Sequence, residues 1–258
     1  MNIVVLFCFL SLCCNNVNTQ LTVLANNEEI LFQPVIFPGN SWQHFLQHLP
    51  MLDAPVRDYT GNIISNQEKH FAIINYDVGN SDLQQCADAL IRLRAEHLFK
   101  QERFNEIGFH FFSGQYYSFN MYCTGVKPVL KSNALKFVFS GKNYNNTHES
   151  LRNYLDIVYM YANTISLCKE LKPSDDFEVG TVIITPGSPG HACIIIDEKK
   201  NSKGEKLYKL AESYMPAQSI YVLSNIYDDT ICPWYKLNRK EILTSSYRFT
   251  NFQLKKFE

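Results

Sequence analysis

Between Thr185 and Asp197 the chain reads TPGSPGHACIIID, a turn-forming stretch that runs directly into the apolar residues Ala192 to Ile196. Glycine and proline fix where a strand can begin, and the β-branched residues that follow hold it in a buried sheet. His191 therefore stands at the mouth of that strand, on a sheet rim where a partner can reach it. Downstream, YKLAESYMPAQ supplies a further strand carrying Glu212. Upstream, Cys86 falls early in an expected helix. Cysteine, histidine and a polar orienter, in that order, outline a thiol-nucleophile enzyme.

The remaining pattern is α+β. SWQHFLQHL (41–49) has helical spacing and is closed by Pro50, and HFAIINY (70–76) reads as a strand. DVGNSD is a turn into a long helix expected over 83–99, with Ser81 and Gln84 spaced as a capping box and Asp82 as a rival cap. Aromatic-rich strands are expected at 107–112, 116–122 and 135–139, together forming an antiparallel sheet. A second long helix is expected over 148–171, ended by Pro173. Strands at 177–184, 191–197 and 207–212 then follow, the last two joined by the charged tip EKKNSKGEK. Helices followed by successive antiparallel strands give the α+β class.

The first residues, MNIVVLFCFLSLCC, have the length of a signal-peptide apolar region and are too short to span a bilayer. A leader over 1–19 and a single α+β domain over 20–258 are expected, in an exported protein that is secreted, periplasmic or held at the cell surface. Leu12 stands before Cys13 where a lipoprotein signal wants a small residue, so a membrane partner is expected only through that minor option. A net charge of −1 with scattered basic residues argues against nucleic acid as a partner. Without the leader, Cys86, Cys123, Cys168, Cys193 and Cys232 remain. Five thiols cannot all pair within one chain, so at least one is free or bridges chains.

A nucleophilic cysteine needs a positive environment, such as a helix N-terminus or an imidazolium. With Asp82 as the cap, Cys86 is the fourth helical residue, late for the dipole. It also shares an apolar stripe with Leu83, Leu90 and Leu93, which suits a buried core thiol equally well. His191 fits a general base, and Glu212 could accept its other ring N–H. Asn80 or Gln85 could donate to an oxyanion, and each serves as well as a turn or cap residue. Cys193 shares the strand face of His191 and is a rival nucleophile or metal ligand. No CxxC or HExxH motif supports a metal, His44 and His48 fit the polar face of a helix, and no cofactor is expected. Ser188, Tyr214, Trp234 and Tyr235 are candidates for substrate contact, although aromatics of this kind are also ordinary core material.

SWQHFLQHLP, DVGNSDLQQCADALIRLRAEHL, LRNYLDIVYMYANTISL, PGSPGHACIIID, LAESYMPAQSIYVL and PWY together resemble the domain of unknown function 4846, a mostly bacterial exported family. That resemblance spans about residue 37 to the end and implies export and one domain, with no activity attached. It also implies a pattern with glutamine at the position of Glu212 and glycine at that of Asn163. More loosely, residues 177–215 are similar to the C-terminal half of papain-like folds, including the NlpC/P60 cell-wall peptidases. This implies Cys86 as nucleophile, His191 as base and Glu212 as orienter. The expected function is hydrolysis or transfer of an acyl group at a peptide or amide bond in cell-wall or extracellular material, with a peptide or glycopeptide substrate. The alternative is a non-catalytic peptide- or glycan-binding domain of the same fold.

Overall fold

The computed structural model describes residues 31–258; the expected leader lies outside the described residues. The fold is α+β, built on a nine-stranded antiparallel sheet. Its strands are β1 (Gln33–Pro34), β2 (Met51–Leu52), β3 (His70–Ile74), β8 (Lys172–Pro173), β9 (Val182–Thr185), β10 (His191–Lys200), β11 (Lys206–Glu212), β12 (Tyr221–Leu223) and β15 (Gln253–Lys256). The hairpins β4 (Gly108–His110) with β5 (Tyr116–Ser118), β6 (Val126–Lys131) with β7 (Ala134–Phe139), and β13 (Ile242–Leu243) with β14 (Arg248–Phe249) stand apart from it. Among the described residues there are five α-helices: α1 (Trp42–Gln47), α2 (Cys86–Lys100), α3 (Phe119–Cys123), α4 (His148–Tyr161) and α5 (Thr164–Glu170).

Strand order is β2-β3-β12-β11-β10-β9-β15-β8, with β1 added beside the outer half of β10. The residues from His191 to Ile196 are all buried, as an isoleucine-rich strand covered on both faces requires. The helices α1 and α2 both pack on β10. The pairings Ile194↔Ala211 and Glu212↔Tyr221 bring the start of β10, the end of β11 and the start of β12 to one end of the sheet. The charged tip between β10 and β11 closes as expected, with Asn201 Oδ1 accepting from the amides of Lys203 and Glu205.

Three elements differ from the sequence reading, the first through long-range contacts and the others through local caps, and the strand expected over 177–184 is confined to Val182–Thr185. The first long helix begins at Cys86 rather than Leu83. Asp82 Oδ1 instead accepts from the Ala217 amide at 2.7 Å, and Gln84 turns inward so that its Oε1 accepts from Arg92 at 3.3 Å. Neither is free to cap, and Gln85 becomes the N-cap, its amide donating to Asp88 Oδ2. The second long helix is broken in two, because Asn163 caps a new helix by accepting from the amides of Ile165 and Ser166. The aromatic segments form two separate hairpins rather than one sheet. Ser118 caps α3 through the Met121 amide and ends the expected strand early.

Two glycines are required by their surroundings. Gly79, in the turn before α2, has φ +84°, a conformation that side chains disfavour. At Gly190 the limit is space: a Cβ there would lie 2.4 Å from Thr164 Oγ1 and 2.8 Å from the backbone N and O of Gly187. The turn before His191 is thereby packed directly onto the first residue of α5.

Candidate active site

Cys86 is the first residue of α2, so its side chain leaves the helix where unpaired amides and the positive end of the dipole are concentrated. The amides of Cys86 and Ala87 have no acceptor among the described residues, the first helical bond running from the Ala89 amide to the Gln85 carbonyl. Cys86 is 8 % exposed and stands outside the continuous hydrophobic cluster, which takes up its neighbours Ala87, Leu90 and Leu93. It lies on the wall of a cavity of about 520 Å³, together with Gln85, Asn163, Ser188, Gly190 and Met215.

Cys86 lies near His191, and its sulfur is among the groups that raise the imidazole. On its other side, His191 Nε2 is 2.8 Å from Glu212 Oε2, leaving Nδ1 as the ring nitrogen for the thiol. His191 is 3 % exposed and Glu212 is fully buried. Burial by itself disfavours a charged imidazole, but the Glu212 carboxylate and the adjacent sulfur outweigh it and raise His191 to about 10. An imidazolium is thus the favoured form at neutral pH. Tyr214, Tyr247 and Phe249 surround the ring, with centroids 5.1, 4.7 and 5.6 Å away, and hold its orientation by packing.

Glu212 is itself fixed by Tyr221, whose hydroxyl donates to Oε1 at 2.6 Å and also meets Ser246 Oγ at 3.3 Å. Both carboxylate oxygens are therefore engaged, which makes a buried carboxylate tolerable. In the sequence alone Tyr221 is one aromatic among many. The register Glu212↔Tyr221 places it across from the carboxylate, a relation that only strand pairing reveals. His70 is a further neighbour that the sequence did not single out. Its ring centroid is 4.2 Å from that of Tyr221, and burial lowers its pKa against the opposing pull of Glu212.

Of the other sequence candidates, Gln85 and Ser188 line the cavity, and Tyr214 flanks the imidazole. Asn80 does not line it; it lies on the exposed turn, near Ser81. Trp234 sits elsewhere on the sheet, beneath Lys199 and Lys209 at 4.3 and 4.4 Å, because β10 and β11 present those lysines to it far from the His191 end. Tyr235 is buried, pairs with Tyr208 through the backbone and gives its hydroxyl to the Ser224 carbonyl. Neither can touch a molecule bound at Cys86 without leaving its packing. Cys193 is fully buried, and burial, aided by Glu212 and Cys86, pushes its thiol well above the ordinary value, so it is a core residue and no rival nucleophile. His44 and His48 stack at 3.9 Å, with His48 Nδ1 2.8 Å from the His44 carbonyl oxygen. All five thiols of the described residues are free.

Among the described residues, no helix is long and apolar enough to cross a membrane. No curated protein and no solved structure matches this chain. The family model described as domain of unknown function 4846 matches residues 30–256, which covers the sheet, the five described α-helices and the whole Cys86–His191–Glu212 constellation, and the chain belongs to that family.

Proposed function

We propose that the protein is a papain-like thiol hydrolase or acyltransferase acting on a peptide or amide bond, with Cys86 as nucleophile, His191 as general base and acid, and Glu212 as the residue that orients it. One observation carries this reading: a cysteine at the first position of a helix meets a histidine whose far nitrogen is 2.8 Å from a fully buried carboxylate. Each part has a separate chemical use. The imidazolium gives the sulfur the positively charged neighbour that a thiol nucleophile uses, and Glu212 orients the ring and compensates its charge. The unpaired amides at the start of α2 suit the oxyanion that forms when the sulfur attacks a carbonyl carbon. His191 then passes its proton to the departing amine, leaving a thioester on Cys86. Water, or a second amine in a transferase, displaces the acyl group and returns the proton to His191. The expected setting is extracellular or cell-wall material.

Peptide-resolved alkylation with iodoacetamide at neutral pH tests the reading. Cys86 is expected to label well ahead of Cys123 and Cys168, whose thiols burial raises, Cys123 to about 11. His191→Ala is expected to remove that lead, while Cys86→Ser removes the label itself. Equal, slow labelling of Cys86, Cys123 and Cys168 in the wild type would leave only a binding domain.

A further inference from the structure

The far end of α2 borders a second cavity that the proposed chemistry does not use. Its volume is about 530 Å³, and its walls include His44, Phe45, His48, Tyr76, His97 and Lys100. His97 and Cys86 are separated by about 16 Å along the helix axis, at about 1.5 Å per residue, so this cavity is distinct from the Cys86 site. Pockets that hold small molecules commonly measure about 300–1,000 Å³.

One wall residue lacks a partner. His97 is 3 % exposed, and its ring is held by packing, with the centroids of Trp42 and Phe45 at 5.2 and 5.1 Å. No group among the described residues hydrogen-bonds that ring. A buried imidazole of this kind is costly unless something in the cavity completes it.

The charges indicate what that partner is. No carboxylate lines the cavity. Burial, together with Arg94, Arg103 and Lys100, pushes His97 down to about 4, and all three of those side chains are positive. The ring is therefore neutral at pH 7 and carries one N–H to donate. Acids on the adjoining elements are engaged elsewhere: Glu106 by Arg103, Glu96 by Arg92 and His148, and Asp77 by Arg92 and Arg152. On α1, His48 Nδ1 donates to the His44 carbonyl at 2.8 Å, which leaves its Nε2 for another partner. Tyr76, pushed up to about 12 by burial and Glu96, keeps its hydroxyl proton and is a further donor, while its ring and that of Phe45 supply apolar wall. Among the described residues, no group of three or more histidine, cysteine or acidic side chains is arranged to hold a metal ion, so the three imidazoles here do not converge as ligands.

We propose that this cavity binds a small organic anion, a carboxylate or a phosphate carried on a ring-sized apolar body, with His97 and Lys100 donating to the acidic group and Phe45 and Tyr76 packing against the body. The proposal does not depend on the role of Cys86.

Four probes that share one ring and differ in charge test it: benzoate, phenyl phosphate, neutral benzamide and cationic benzylamine. Each is titrated into the full chain at pH 7 and constant ionic strength, and dissociation constants are read from the backbone amide resonances around the cavity. Benzoate and phenyl phosphate are expected to bind about tenfold or more tightly than benzamide, as one charge-assisted hydrogen bond predicts, with benzylamine weakest. Whichever acid binds more tightly identifies the group the cavity prefers. A bound anion is also expected to raise the pKa of His97 from about 4 towards its ordinary value. Lys100→Met, at an exposed position, is expected to reduce the ratio of anion to neutral affinity severalfold. His97→Phe, which keeps an aromatic ring against Trp42 and Phe45, is expected to reduce it similarly, and the double variant to abolish it. Since each ratio is taken within one variant, a general loosening of the cavity does not imitate the effect. Should His97→Phe not fold, Lys100→Met decides. Absence of saturable binding by either acid, benzamide bound as tightly as benzoate, a preference for benzylamine, or an anion preference unchanged in the folded variants would overturn the anion site.

Discussion

Replacing Glu212 by glutamine tests the electrostatic core of the site with little change of shape. The carboxylate lies 2.8 Å from His191 Nε2, and both groups are almost fully buried. Taking the charge centres as about 4 Å apart and an effective dielectric of about 20, the attraction is about 4 kcal/mol. At 1.36 kcal/mol per unit, that corresponds to about 3 pKa units. Glu212→Gln is therefore expected to move His191 from about 10 to about 7, and burial pulls it further in the same direction. The amide can still accept from Nε2–H, so a drop to this range reports charge rather than lost geometry. The stability effect has a definite sign. A histidine raised in the fold contributes fully below its unfolded value of 6.5, and the contribution is lost as pH rises towards about 10. Wild-type stability should fall across that window, and the variant should be nearly flat over it. Carbon-labelled histidine resonances give the titration directly, with His191→Gln assigning the signal among the 7 histidines of the chain. If His191 still titrates near 10 in Glu212→Gln, the carboxylate is not what holds its charge, and the role given to Glu212 is wrong.

Two further substitutions probe the supports of the pair. Tyr221→Phe removes the 2.6 Å donor to Glu212 Oε1 and should cost about 1–3 kcal/mol of stability in denaturant unfolding, as expected when a buried acceptor loses its partner; a change below 0.5 kcal/mol would mean that another group satisfies the oxygen. Gly190→Ala sets a methyl 2.4 Å from Thr164 Oγ1 and should cost about 1–3 kcal/mol through overpacking while slowing alkylation of Cys86. Adding Thr164→Ala should restore only part of both, because the Gly187 backbone still crowds the methyl at 2.8 Å.

The strand signals that could be read in the sequence were those that depend on local chemistry. The Gly/Pro turn before His191, the isoleucine run after it and the Asn201 turn between β10 and β11 each act within a few residues, and each forms where its pattern points. The break between α4 and α5 was visible in principle, since Asn163 is followed by Ser166 at the spacing of a reciprocal cap. A continuous helical period of apolar residues across it masked that signal. The break matters because it delivers Asn163 and Thr164 to the cavity wall, where Thr164 meets Gly187 and supports the turn that presents His191.

The start of α2 was not legible, and the site depends on it. Read locally, Ser81, Asp82 and Gln84 all signal a helix beginning near Leu83, which would leave Cys86 a full turn inside, on the apolar stripe and beyond the strongest part of the dipole. In the fold, Asp82 is bound by the Ala217 amide, 135 positions away, and Gln84 by buried Arg92. With both removed, the helix starts three residues later, and the cysteine moves from its interior to its tip. Partners supplied by the fold, the Ala217 amide for Asp82 and buried Arg92 for Gln84, therefore outweigh a local capping preference worth about 1 kcal/mol. The same displacement puts Asp88 in the first turn, where its Oδ2 caps the Gln85 amide and its free oxygen remains in the wall of the cavity. Restoring the local preference should undo the arrangement: a chain in which Asp82 lost its Ala217 contact would be free to begin its helix early and to draw the sulfur away from the histidine.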